Sequence, residues 1–296
     1  MNALYSLSGR GTLDILGGRE ATDCIATYDC QPGDLVLLRS PGLNGVPDGR
    51  PLHRLQDVAE GARHSLALRM IARGGQQARW CRFRAVRAVR SLPIDDFVEH
   101  LAAEQPTPGG GSAAAFAGAT GAALVSMTCR YTVGRERYRD VEQEMAAVLE
   151  RSEELRGELQ ALVQDDVEAY GSYAEAQSLP RGSEDETRAR HDALAAAMRA
   201  STDAPLAVAE RSAELIDLAL RAARAGNPWL ISDAAVGAQF ALTGYKAAAL
   251  NVELNLTSVD DPNYVEECNA RLAQLGGQRL HARVDETVAT VRSRHS

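Results

Sequence analysis

The stretch PTPGGGSAAA, residues 106–115, sets three consecutive glycines between two prolines and an alanine-rich segment that is almost uncharged. Read as a linker, it would end one domain and begin another. Read as a helix entry, it would sit inside a single helical domain. Its neighbours decide the matter. Asp95-Asp96 opens an amphipathic pattern that runs to about Glu104, and from Ala113 to about Tyr131 the chain is apolar at helical spacing, with Gly118 and Gly121 inside it. Helical patterns on both sides exclude the linker. The glycines become the tight entry to an apolar helix, where bare backbone N–H groups favour an anion or partial negative charge. The stretch lacks the GK[ST] ending of a phosphate-binding loop and follows no strand.

Helical patterning continues to the end of the chain. A long amphipathic run spans about Asp140 to Gln177 and stops at SLPRGSEDE. Further helices are expected over about Thr187–Ala200, Pro205–Ala225, Ser232–Leu256 and Pro262–Arg292. Residues 93–296 therefore read as one all-α bundle. Residues 1–92 differ. TLDIL, CIATYD and LVLLRS are strand-like runs between the turn signals QPGD and PGLNGVPDG. A helix is expected from Leu52 to about Arg73, closed by Gly74-Gly75. In ARWCRFRAVRAV, arginines alternate with Cys81, Phe83 and Ala85, which suits a strand with a basic face. The fold class is mainly α: an all-α helical bundle preceded by a small α+β module.

Composition narrows the function. Aromatics are only 5% of residues, so the core is built from Ala, Leu and Val in closely packed helices. A net charge of −8 argues against nucleic acid as the main partner. Residues 1–93 hold thirteen arginines against eight acids, so the acidity lies in the remainder, and Lys246 is the sole lysine. Five cysteines form no CxxC pair and show no metal-ligand spacing, and the N-terminus lacks a signal-peptide pattern. No run of about 18 apolar residues suggests a membrane span. These features predict a cytoplasmic protein with free thiols, with no membrane and no nucleic acid among its partners.

Two constellations carry chemistry. On the long helix, Leu155, Leu159, Leu162 and Tyr170 define an apolar stripe, and Asp166 falls within roughly 40° of each at 100° per residue. A carboxylate placed toward the core needs a partner, a ligand or a catalytic role. An arginine from another helix, or a stripe end that opens to water, would serve equally. Asp165 is about 100° away and free to face solvent. In GNPWLISDAAVGAQF, Ser232 reads as an N-cap with Asp233 in the first turn, as the helix dipole favours. Downstream, Gly237, Ala241, Gly244, Ala248, Asn251 and Asn255 share one face of small residues ending in two amides, suited to interhelical hydrogen bonds or to substrate contacts.

Together these pieces resemble the formiminotransferase-cyclodeaminase family, specifically its cyclodeaminase domain and the related methenyltetrahydrofolate cyclohydrolases, over about Ile94 to Arg292. The resemblance is carried in order by PTPGGGSAAA (106–115), AALVSM (122–127), TVGRERY (132–138), LVQDDVEAY (162–170), PLAVAE (205–210), GNPWLISDAAVGA (226–238) and NVELNL (251–256). The first 92 residues lie outside it. What the resemblance implies is an all-α fold, a homodimer, and a cleft for a tetrahydrofolate derivative, with no metal or redox cofactor. It implies interconversion of methenyl- and formyl-tetrahydrofolate, or conversion of the formimino to the methenyl form with release of ammonia. Asp166 would be the general acid or base, with Asp233 assisting or binding the pterin edge. Pro108, Gly109, Gly110, Gly111 and Ser112 would offer backbone donors, and Arg135 and Lys246 would meet the glutamate tail. Gln164, Ser232 and Asn251 complete the substrate-binding set. The family pattern Asp-x-Asp-Ala appears here as Gln164-Asp165-Asp166-Val167, so a glutamine, which exchanges no proton near neutral pH, replaces the first acid. That departure leaves room for a relative that uses the folate one-carbon unit on another small molecule, or for a non-catalytic folate-binding or dimerisation protein.

Overall fold

The computed structural model describes residues 89–295 throughout, and within residues 1–88 it describes six strands by their backbone. The chain divides into two compact units, Met1–Pro93 and Ile94–Ser296. In the first, β1 (Leu4–Ser8), β2 (Thr12–Leu16) and β4 (Leu37–Arg39) form one sheet in the order β1-β2-β4. β3 (Asp23–Thr27), β5 (Ser65–Met70) and β6 (Arg79–Val86) form another in the order β3-β6-β5. β6 runs parallel to β3, with Asp23 opposite Arg82, and antiparallel to β5, with Leu66 opposite Phe83. β5 corrects part of the helix expected over residues 52–73: SLALRM alternates with period two, and its register with β6 follows that alternation. Residues 52–64, and the basic face expected on β6, lie outside the described residues and side chains.

The second unit is helical. α1 (Ile94–Ala102) is followed by α2 (Gly110–Arg130), α3 (Glu142–Ser178), α4 (Glu184–Ala225), α5 (Ile231–Leu256), α6 (Pro262–Leu275) and α7 (Gly277–His295). α2 packs on α3, α4 and α5, and α4 packs on α3, α5 and α7. α2 carries no charge from Gly110 to Cys129. It is long and apolar enough to cross a membrane by length and composition, contrary to the expectation that no such run exists. More than half of that window is buried among the other helices, as in a core helix. Cys129 and Cys268 are buried free thiols.

Two boundaries differ from the sequence patterns for identifiable reasons. The expected helices 187–200 and 205–225 are one helix that runs through Pro205. It begins at a capping box, with Glu186 N–H donating to Ser183 Oγ at 3.2 Å and Ser183 N–H donating to Glu186 Oε2 at 3.1 Å. A proline inside a helix removes the bond to the carbonyl four residues earlier, here Ser201. The Asn255 amide of α5 donates to that carbonyl at 2.6 Å, which supplies the missing donor from a neighbouring helix. The expected helix 262–292 is two helices, because Gly276 takes a left-handed conformation (φ 66°) that ends α6.

An ion-pair ladder ties the polar faces. Arg271 joins α6 to Glu210 of α4, Arg211 of α4 reaches Glu158 of α3, and Arg151 of α3 reaches Glu214. The Arg156 guanidinium, 2.7 Å away, brings the Glu153 carboxyl down to about 2. Burial alone would raise Glu158, but Arg211 and Arg151 more than offset it and hold it below its ordinary value. Carboxyls depressed in the folded state contribute stability above their unfolded value near 4.5 and lose it as pH falls toward 2. Unfolding free energy should therefore drop between these pH values, and Glu153→Gln should flatten that slope in urea titrations at stepped pH.

The proline repair is tested by a double-mutant cycle. Asn255→Ala should cost about 1–3 kcal/mol by leaving the Ser201 carbonyl unpaired. In a Pro205→Ala background, which restores the helical N–H, chemical denaturation should show a clearly smaller penalty for the same change.

Candidate functional site

The N-terminus of α2 is built without a side-chain cap of its own. Gly109 occupies the N-cap position in extended conformation, and Gly110, Gly111 and Ser112 are the first three helical residues rather than a preceding loop. Their N–H groups have no partners within the helix. The acceptor comes from α3. Asp166 Oδ2 accepts from the Ser112 backbone N–H at 2.8 Å and from Ser112 Oγ at 2.7 Å. The Ser112 hydroxyl is fully buried and also lies 3.3 Å from the Val163 carbonyl.

Gly111 makes this possible. A Cβ at position 111 would lie 2.0 Å from Asp166 Oδ1, so any other residue would displace the carboxylate. Position 110 faces the Asn251 amide of α5, 3.8 Å from where a Cβ would stand. Pro108 is buried, and the Thr107–Pro108 peptide is cis. Pro108, Gly109, Gly110, Gly111, Ser112, Asp166 and Asn251 thus meet at one end of α2.

Asp166 is half-buried rather than enclosed in the core, while Asp165 is exposed. The stripe that predicted its position is buried at Leu155, Leu159 and Leu162 but reaches solvent at Tyr170, so Asp166 sits where the apolar face opens. Gln164 is buried and donates to Glu168 Oε1 at 3.1 Å. Two residues along a helix are about 200° apart, so Gln164 does not share the Asp166 face.

The remaining candidates lie elsewhere in the protomer. α5 runs antiparallel to α2: Asn251 meets Gly110 at one end, Gly237 meets Gly121 midway, and Thr128 Oγ1 donates to the Leu230 carbonyl at 3.0 Å at the other. Asp233 is therefore about 27 Å along α5 from Asn251, at 1.5 Å per residue. Ser232 is not the N-cap; Leu230 holds that position, and Ser232 is an exposed second helical residue, while Asp233 does occupy the first turn. Arg135 follows the C-terminus of α2 and is exposed, so it too belongs to the far end. Lys246 is exposed on α5. Two aromatic side chains at the far end escaped the sequence reading. Trp229 and Tyr131 are both exposed, in a turn where Asn227 donates to the Tyr131 carbonyl at 3.3 Å and accepts from the Trp229 N–H at 3.1 Å. The only signal was the Asn-Pro pair of GNPW, which marks a turn.

The fold is an all-α bundle in which a carboxylate from α3 caps a glycine-bare helix N-terminus. The comparisons narrow it. The formiminotransferase-cyclodeaminase family profile matches residues 93–274, and the chain belongs to this family. It is 44% identical over 200 residues to the methenyltetrahydrofolate cyclohydrolase of Methylorubrum extorquens, covering 66% of this chain and 95% of that protein. It is 32% identical over 179 residues to the formimidoyltransferase-cyclodeaminase of Mus musculus, covering 60% of this chain but only 33% of that longer protein. The crystal structure of formiminotetrahydrofolate cyclodeaminase from Thermotoga maritima superposes with a TM-score of 0.61 at 26% identity, over 69% of this chain and 98% of that one.

Gly111 and Asp166 form one unit and should behave as one. Asp166→Ala should cost about 0.5–2 kcal/mol through loss of the cap. Gly111→Ala should cost about 1–3 kcal/mol through the clash. Most of the Gly111→Ala penalty should vanish in the Asp166→Ala background, as read by thermal or chemical unfolding.

Proposed function

We propose that this member of an enzyme family acts on tetrahydrofolate derivatives as a methenyltetrahydrofolate cyclohydrolase, with Asp166 as its general acid or base. The carrying observation is the seat of Asp166: a carboxylate fixed by Ser112 against the bare first turn of α2. The cyclohydrolase reading draws on the 44% identity to an enzyme of that name along nearly its whole length. The related cyclodeaminase reaction uses the same kind of proton transfer and is the neighbouring reading.

The chemistry needs little machinery. Water bonds to the methenyl carbon between two folate nitrogens, and Asp166 takes the proton that the water must lose. One carbon–nitrogen bond then breaks, that nitrogen takes up a proton, and a formyl group remains on the other nitrogen; one proton is released overall. The N–H groups of Gly110 and Gly111 suit a pterin oxygen or carboxylate, and the Asn251 amide beside Gly110 suits a polar ring edge. Gln164, turned from the Asp166 face and bonded to Glu168, has no part in this step. We further read the protein as a homodimer, for which the exposed apolar side chains of α2 and α5 speak.

Loss of methenyl-tetrahydrofolate absorbance tests the reading directly. Asp166→Asn should lower kcat at least about 100-fold, the scale of a lost general acid or base. Folate affinity, followed by titration calorimetry, should change only a few-fold. Full activity in that variant would remove Asp166 from the mechanism, and failure of any tetrahydrofolate form to bind the wild type would remove the folate reading.

A further inference from the structure

α3 outruns α2. Two contacts fix the pair as antiparallel: Ser112 Oγ donates to Asp166 Oδ2 at 2.7 Å, and Ser126 Oγ lies 2.9 Å from Ser152 Oγ. The two contacts are equally far apart on both helices, so Gly110, the first residue of α2, stands level with Glu168. The rest of α3, to Ser178, therefore runs about 15 Å past the start of α2. α4 supports this projection. Arg190 donates to the Gln177 carbonyl at 3.3 Å, and Ala169 and Ala176 are buried.

Asp166 begins a line of side chains along the projection. At 100° per residue, Tyr170, Tyr173 and Gln177 all fall within about 40° of it. Tyr170 is 42% exposed and Tyr173 is half-buried, with ring centroids 6.4 Å apart. Gln177 Nε2 donates to the Tyr173 hydroxyl at 2.6 Å, which ties that ring down. Side chains on a helix lean toward its N-terminus, so both rings cover the turn nearer Asp166. The acid thus has two unlike surroundings. On its α2 side stand the N–H groups of Gly110 and Gly111, with the Asn251 amide beside Gly110. On the other side, about 6 and 10 Å along the axis, stand two aromatic rings.

A tetrahydrofolate derivative is two-sided in the same way. Its one-carbon unit lies between two nitrogens, one in the polar pterin and the other bearing a p-aminobenzoyl ring. With that carbon at Asp166 and the pterin edge at the glycine N–H groups, the benzoyl ring leaves along α3. We propose that Tyr170 and Tyr173 form the shelf on which the aminobenzoyl ring lies. Flat rings gain from offset or edge-to-face contact beyond the area they bury. The shelf therefore selects substrates that carry an aromatic group on the second nitrogen over bare reduced pterins. This inference rests on the folate-enzyme reading and on Asp166 as the reacting acid.

Removing a ring from the protein and its counterpart from the ligand makes a cycle that tests the shelf. Titration calorimetry gives dissociation constants for tetrahydrofolate and for methyltetrahydropterin, which lacks the aminobenzoyl ring. Tyr170→Ala, folded by thermal melting, should weaken tetrahydrofolate about 3- to 10-fold and leave methyltetrahydropterin within about twofold. Tyr170→Phe keeps the ring and should bind tetrahydrofolate as the wild type does. In turnover of methenyl-tetrahydrofolate, Tyr170→Ala should raise KM with kcat nearly unchanged. Equal weakening of both ligands would show a general distortion and overturn the shelf. So would a Tyr170→Phe protein as weak as Tyr170→Ala, or unaltered tetrahydrofolate affinity in the Tyr170→Ala/Tyr173→Ala double variant. Each of these outcomes leaves the folate reading standing. A wild type that binds no tetrahydrofolate removes that reading, and the shelf with it.

Discussion

The close approach of α2 to α5 sets the rest of the second unit. A Cβ at Gly121 would stand 2.6 Å from the Gly237 carbonyl oxygen, and a Cβ at Gly237 would stand 2.8 Å from the Gly121 carbonyl oxygen. Any side chain at either position would force the two backbones apart. Contact at this distance fixes both the direction and the register of the pair. Asn251 is thereby carried to the first turn of α2, and Leu230 is carried to its last turn, where Thr128 holds it. One steric constraint thus decides which residues can share a site within a protomer. Among the described residues of the helical unit, it also leaves Phe116 of α2 and Val236, Phe240, Leu250 and Leu254 of α5 exposed.

The Asp166–Ser112 contact has a structural and a chemical consequence. A helix that begins with glycines at its N-cap and first two positions has weak intrinsic nucleation and no capping side chain. A carboxylate from α3 supplies the acceptor at 2.8 Å. The same arrangement pins an acid beside backbone N–H groups at the edge of solvent, the feature on which the proposed reaction rests. Stability and site geometry therefore depend on the same carboxylate oxygen, Asp166 Oδ2, so the proposed function is best separated from folding by Asp166→Asn, which keeps the shape of the side chain.

Much of this was legible before any coordinates. Helical periodicity placed α2, α3 and α5 within a few residues, since each carries a continuous small or apolar face. The glycine run and Asp166 were readable as a helix entry and an inward acid. Their mutual contact was not, because it joins residues 54 positions apart and depends on the missing Cβ of Gly111. The break expected at Pro205 was a local inference overridden by tertiary structure: propensity does not show that Asn255 waits across the interface to repair the lost bond. The helix expected over residues 52–73 gives way to a strand at residues 65–70 because SLALRM fits a helical period as well as an alternating one. Asp166 and Asp233 were grouped by chemistry, whereas the antiparallel helices put them at opposite ends of one protomer.

That separation need not weaken the grouping. Asp233 stands about 27 Å along α5 from Asn251, at whose end of α2 the α3 residue Asp166 sits, so either the grouping is wrong or another chain supplies the second acid. The outer face of α5 bears on this choice. A solvated face of a surface helix is ordinarily polar, yet this one presents Val236, Phe240, Leu250 and Leu254 in a stripe whose sole charge is Asp233. An acid on an apolar seam is costly to desolvate unless something pairs with it.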